Sequence, residues 1–290
     1  LGCTLNTQAA PLTVGLNGWG YADGSLSELL VYNSALTDEQ RQEVEDYLAC
    51  KWFGIESGGE VLPATTAVTI AAGSALDVNG QTQTIGALAG GGNVLLGSGG
   101  SLTINSTTDS TFGGSISGVG GSLVKRGDAK LTLGGAGTYS GSTTVDGGTL
   151  VVNGSLSSSM VSVNGGARLG GRGSIAGEAV VAGGDDPSEQ GGISLVDSVI
   201  GTLTFSDSDV DDTALRLGGE SVGQPSILNF EVGDAADCIS ITSAQLLINP
   251  GGATIHITPL TGFGAMTYDL ITFPEDQATG LERLTLGTTL

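Results

Sequence analysis

From about Glu60 onward the chain is a succession of short apolar runs, each cut by Gly or Asn–Gly, at a spacing of roughly 8 to 12 residues. Ala67–Val–Thr–Ile–Ala is followed by Ala75–Leu–Asp–Val before the Asn79–Gly80 pair. Asn93–Val–Leu–Leu then precedes Gly97, and Ser101–Leu–Thr–Ile follows. Alternating apolar and polar positions specify strands with one buried face. Gly and Asn accept the positive φ that a sharp corner between strands requires. Two folds satisfy this pattern, a stack of parallel coils or an antiparallel sandwich with hairpin turns.

Composition separates them in part. The 51 Gly residues show no three-residue period and stand beside only 7 Pro, which excludes collagen. With 2 Trp, 5 Tyr and 6 Phe, the chain lacks the large side chains that fill a wide core. A narrow core of Val, Ile, Leu and Ala, as in a solenoid, suits it better. The net charge of −21 disfavours nucleic acid and anionic lipid as partners. It gives a soluble acidic surface and suits attraction of divalent cations such as Ca²⁺.

Cys3, Cys50 and Cys238 are far apart and form no CxxC motif. Cys3 and Cys50 could pair as a disulfide or remain buried thiols, and Cys238 would be left over. No run of about 18 apolar residues is present to span a membrane. The absence of an initial Met and of a basic-then-apolar leader makes the sequence an expected excerpt or processed form of a longer protein.

Residues 1–55 differ in texture. They hold Trp19 and Trp52 and a helix expected from Thr37 to about Lys51, with Thr37 and Gln40 as a capping box and Val44, Tyr47 and Leu48 at helical spacing. Leu26 to Tyr32 reads as a strand and Asn33–Ser34 as a turn. The segment GYADGSLSELLVYNSALTDEQRQEVEDYLACKWFG resembles the closing strand and helix of a laminin-G-like, concanavalin-A-like domain. Too little of such a sandwich is present to make its core. A small α/β cap over the first coil of the following domain, 56–290, is the expectation.

The stretch SGVGGSLVKRGDAKLTLGGAGTYSGSTTVDGGTLVVNG, Ser117 to Gly154, resembles the autotransporter-associated β-strand repeat. It has the Leu–Lys start, the apolar–Thr–apolar strand, the Thr–Tyr–Ser–Gly turn and the closing Gly–Thr–Leu strand. Asp128–Ala129–Lys130 departs from the usual Gly–Thr, which should affect one corner only. The resemblance implies an all-β, right-handed parallel β-helix on the outside of a bacterial cell. Beyond Ala182, Gly183 to Ile193 reads as a surface loop with Asp185, Asp186 and Glu189. Strands are expected again at Thr202–Phe205, Ile227–Val232, Cys238–Ile241, Ala244–Ile248, Ala253–Ile257 and Met266–Phe273.

Searches for chemistry return little. His256 is the one histidine, and in Ala253–Thr–Ile–His–Ile–Thr it shares the outward parity with Thr254 and Thr258, so no nucleophilic triad or zinc site is read. Paired carboxylates, as in polysaccharide-cleaving β-helices, would need aromatic platforms and free basic residues. The solenoid offers only Lys125, Arg126, Lys130, Arg168, Arg172, Arg216 and Arg283. Asp207, Asp209 and Asp211 open like a calcium loop, yet Asp212 stands where Gly is needed and Gly218 where a bidentate Glu belongs. A solvated loop is the preferred reading and bound Ca²⁺ the alternative, which calorimetric titration would test. Gly171 to Gly177 has neither the spacing nor the helix of a phosphate cradle, and Ser174 stands where a calcium nonapeptide needs Asp.

The sequence therefore specifies a β-helix of about ten coils, at ~20 to 25 residues each, and no catalytic or cofactor-binding residue. The first expected role is a stiff extracellular spacer or matrix element, which could assemble head to tail. A glycan- or host-surface-binding adhesin is the alternative, and a polysaccharide-cleaving enzyme the second.

Overall fold

The computed structural model describes residues 62–287, apart from Pro187 and 209–211, and positions scattered between 16 and 48. The chain divides into two compact units, Leu1–Gly59 and Glu60–Leu290.

In the first unit, Leu16–Asn17 pairs antiparallel with Gly20–Tyr21. Gln40, Arg41, Val44, Tyr47 and Leu48 are helical. The Thr37 amide donates to Gln40 Oε1 at 3.1 Å, and the Gln40 amide donates to Thr37 Oγ1 at 3.2 Å, closing the capping box that the sequence predicts. The strand expected at Leu26–Tyr32, Asn33–Ser34, Cys3 and Cys50 lie outside the described residues.

The second unit is a right-handed parallel β-helix, and its strands fall in strict rotation into three sheets. The first sheet runs through ten strands from Ala67–Ile70 to Leu284–Leu286. The second runs through nine from Ala75–Asp77 to Ile271–Thr272, and the third through nine from Thr82–Ile85 to Ala278–Thr279. Each inter-coil pairing is parallel, so the antiparallel sandwich is not the fold.

Period-two alternation sets the core. Leu131, Leu150, Leu169, Ile193 and Leu228 stand one above another and are fully buried. Side chains of this size bury about 1.5–3 kcal/mol of transfer free energy each. In-register stacking adds contacts only between neighbouring coils, so cohesion grows by coil, not by long-range closure. Leu131, Leu150 and Leu169 lie 19 residues apart along the chain, whereas Ile193 and Leu228 lie 35 apart. The coils therefore outgrow the expected length in the C-terminal part.

The corner between the first and second sheets explains much of the glycine. Gly92, Gly114, Gly135, Gly154 and Gly173 stack in successive coils, and a Cβ on any of the last four would run into the carbonyl oxygen of the glycine below. Backbone meets backbone there, with both strands fixed by ladder hydrogen bonds, so neither side can give. Gly135→Ala should cost roughly 1–3 kcal/mol of stability, read as a lowered urea midpoint with unchanged slope.

From residue 195 the same corner becomes three long loops, spanning 195–201, 233–237 and 260–270. Two expectations are corrected here. The strand anticipated at Met266–Phe273 shrinks to Ile271–Thr272, because Tyr268 turns away to donate its hydroxyl to Gly233 O at 2.9 Å and to stack on Phe263. The loop anticipated at Gly183 to Ile193 ends earlier, because Gly192–Ser194 is a strand and Ile193 joins the core. At Asp128–Ala129–Lys130 the register is intact, and the Lys130 amide donates to Asp109 Oδ1 at 2.8 Å.

Candidate functional site

Among the described residues, those with the most obvious chemistry are not brought together. Asp207 follows the strand Thr202–Ser206, and its carbonyl accepts a hydrogen bond from Ser243 Oγ at 2.8 Å. Asp209 and Asp211 lie outside the described residues. Among the described residues no three His, Cys, Asp or Glu converge to hold a metal. His256 pairs in register with Asn229 on the first sheet, while Ile255 and Ile257 pack against the core. Cys238 is a free thiol whose pKa is raised by partial burial.

The seven basic residues of the solenoid are all engaged. Arg126 pairs with Asp146 at 3.0 Å, Lys130 with Asp109 at 3.6 Å, Arg172 with Asp197 at 3.8 Å, Arg216 with Glu178 at 2.7 Å and Arg283 with Glu282 at 3.4 Å. Arg168 donates to the carbonyls of Ala167 and Gln190. Lys125 is buried outright, on the inward row of the third sheet between Ile104 and Val145. Its ammonium donates to Arg126 O at 2.7 Å, Gly127 O at 2.8 Å and Gly147 O at 3.2 Å. Desolvation lowers its pKa, partly offset by the charges of Asp128 and Asp109.

One coil further, Tyr139, Thr143 and Ser158 make a second buried polar group. Ser158 Oγ reaches Gly141 O at 2.7 Å, and a carbonyl can only accept. The hydroxyl protons therefore run one way, from Tyr139 to Thr143 at 2.6 Å, from Thr143 to Ser158 at 2.9 Å and on to the carbonyl. Burial drives the Tyr139 phenol above its usual range. Gly137 leaves the space: a Cβ there would meet the Tyr139 ring at 3.0 Å.

Outside, the three sheets differ in charge. On the second sheet Ser115, Ala136, Ser155, Ser174, Thr204 and Ser240 face outward in one row, as their register requires. Thr138, Ser157, Ala176 and Ser206 lie on the adjacent row. Asp77, in the first of the nine strands, is the one charged residue within the strands of this sheet. Nine strands at about 4.8 Å spacing give this hydroxyl face a length near 38 Å. Neighbouring polar side chains cross-link in places: Ser115 Oγ donates to the Asn93 amide oxygen at 2.8 Å and Thr272 Oγ1 to Ser240 Oγ at 3.2 Å.

Residues 123–152 match the model of the passenger-associated-transport repeat. The chain carries a passenger-type autotransporter repeat. It is also similar to the Adhesin BmaC autotransporter of Brucella suis biovar 1 (strain 1330), 32% identical over 200 residues that make up 61% of this chain and 6% of that protein. The chain thus spans a small fraction of that relative's length. No solved structure matches it. A passenger repeat places the chain on the outside of the bacterial cell.

The passenger repeat contributes strands to all three sheets, and its distinctive polar residues turn inward. Lys125, Tyr139 and Thr143 are each fully buried. No partner can touch them, so what they specify is coil register, not recognition. Read from the sequence, Lys125 is counted among the basic residues without being placed, although Leu123 and Lys125 share one parity and that parity is the core's. The hydroxyl face was equally readable in hindsight, but only once the register had aligned strands about twenty residues apart.

Proposed function

We propose that the chain is a stiff segment of a surface adhesin, in which the coil stack sets reach and the uncharged face of the second sheet makes contact with a neutral glycan. The carrying observation is that a chain of net charge −21 keeps charge off nearly all of one nine-strand face and presents hydroxyls there instead. Hydroxyls both donate and accept, which suits another hydroxyl-rich surface. Acidic glycans are disfavoured, because each basic residue of the solenoid already has a partner and the net charge repels them. Each contact would be shallow, so affinity would come from many rows engaged at once. The similarity to an adhesin supports a non-enzymatic reading.

The test is a glycan array followed by surface plasmon resonance on any hit. Ser155→Arg with Ser174→Arg, adjacent in register, puts two long charged side chains on the face. Binding should fall at least tenfold, while Thr132→Arg on the first sheet leaves it unchanged. Stability should change by no more than ~1 kcal/mol, because Ser174 is exposed and Ser155 and Thr132 are half-buried on outward rows. Silence across neutral glycans would leave the spacer role as the function of this segment.

A further inference from the structure

Among the described residues, the one pair of carboxylates that the solenoid buries sits at a corner of the later coils. Glu231, at the end of the strand Ser226–Val232, is 2% exposed, and Asp237, across the short antiparallel bridge between Val232 and Ala236, is 1% exposed. Neither has a cation within ion-pair distance among the described residues. Backbone amides hold them instead. Glu231 Oε2 accepts from Asp197 N at 3.1 Å and Ser198 N at 2.6 Å, Asp237 Oδ1 accepts from Gly201 N at 2.9 Å, and Asp237 Oδ2 accepts from Glu231 N at 2.8 Å. Three of these four amides belong to loop 195–201 of the coil before. Two like charges therefore staple that loop down, joined to each other through a single amide.

We propose that this staple is a proton-operated latch: a proton on Asp237 relieves its repulsion with Glu231 and tightens loop 195–201 onto the next coil, and its loss as the pH rises loosens the loop. Each Asp237 oxygen accepts a single amide, so a lone pair remains for the proton while both amides keep their acceptor. The proton removes the repulsion between the two carboxylates without removing the staple.

The surroundings offer no compensating charge. Asp197 comes from the preceding coil and is already paired with Arg172, 3.8 Å away on the coil before that. The carboxylates' own coil supplies Asp234 and the Cys238 thiol. The following coil supplies Thr258, in register with Glu231, together with Tyr268 on Gly233 O and Asp269. Consistently, Asp237 is raised above the ordinary carboxyl range, first by desolvation and further by the charges of Glu231 and Asp197, against the pull of its amide bonds. The sign follows by linkage. A carboxyl raised in the closed state and ordinary in the open one binds its proton more tightly when closed, so closure is favoured below the raised value and weakened above it. The window opens just above the ordinary carboxyl value of about 3.9. The loop that would loosen carries Val196 and Val199, 43% and 46% exposed.

Hydrogen–deuterium exchange of the intact chain from pH 4.5 to 8, corrected for intrinsic rates, tests the latch. Protection of the Asp197, Ser198 and Gly201 amides should fall at least tenfold across that range, while amides of Lys130–Leu133 stay constant. Glu231→Gln, which keeps an amide acceptor and removes one charge, should flatten the profile at the protected level. Flat protection in the wild type, or protection lost on acidification, overturns the proposal. Should the variant fail to fold, the wild-type series alone decides.

Discussion

Lys125→Met is expected to destabilise the solenoid by about 1–3 kcal/mol, the cost of leaving a buried hydrogen-bonding group unsatisfied. Met matches the length and apolar character of the lysine stem and fits the inward row between Ile104 and Val145. What it cannot do is donate. Three carbonyls, those of Arg126, Gly127 and Gly147, would lose their shared ammonium at a corner only partly open to water. Gly127 and Gly147 belong to successive coils, so the ammonium fastens one corner to the next. Chemical denaturation followed by circular dichroism would read the loss. A change below ~1 kcal/mol would mean that the carbonyls find other donors and that the cage is incidental.

The same lysine shows how much was legible beforehand. Most strands follow from alternation and glycine spacing, because a period of two with a turn signal fixes which side chains face inward, whereas the parallel stack came from the resemblance of Ser117–Gly154 to the autotransporter-associated repeat. Cys238–Ile241 was readable to the residue. Met266–Phe273 failed because Thr267–Tyr268–Asp269 alternates as a strand does, while the Tyr268 hydroxyl had a better partner in Gly233, 35 residues away. Local pattern cannot register a contact at that separation. Lys125 was given no side in advance, although its parity with Leu123 points inward, because lysine is rarely buried.

The hydroxyl face and the carboxylate staple were illegible for a shared cause. Each is a property of register between coils. Ser155 and Ser174 become neighbours only when the coil between them is known to be 19 residues long. Glu231 meets Ser198 only across a coil of irregular length, 33 residues along the chain. Where coils are uniform, a repeat length read from the sequence would align the ladders. Where loops intervene, as they do beyond Ala182, it would not.

Phe205→Ala is expected to cost about 3–5 kcal/mol, as for other buried aromatic truncations, and its effect should be confined along the axis. Phe205 is fully buried on the second sheet, stacked between Ile175 below and Ile241 above. Those coils are held by strands of different length and by loops that differ in size, so the lost ring leaves a gap that backbone shifts cannot close. In a fold whose units touch only their neighbours, the penalty falls on one coil and its two interfaces. Hydrogen exchange should therefore quicken over Ser174–Ala176, Thr202–Ser206 and Cys238–Ile241, while Ser101–Asn105, several coils away, keeps its protection. Uniform loss of protection along the whole solenoid would show instead that the coils unfold as one cooperative block. A stack built that way would fail all at once, whereas one built from semi-independent coils would yield a coil at a time.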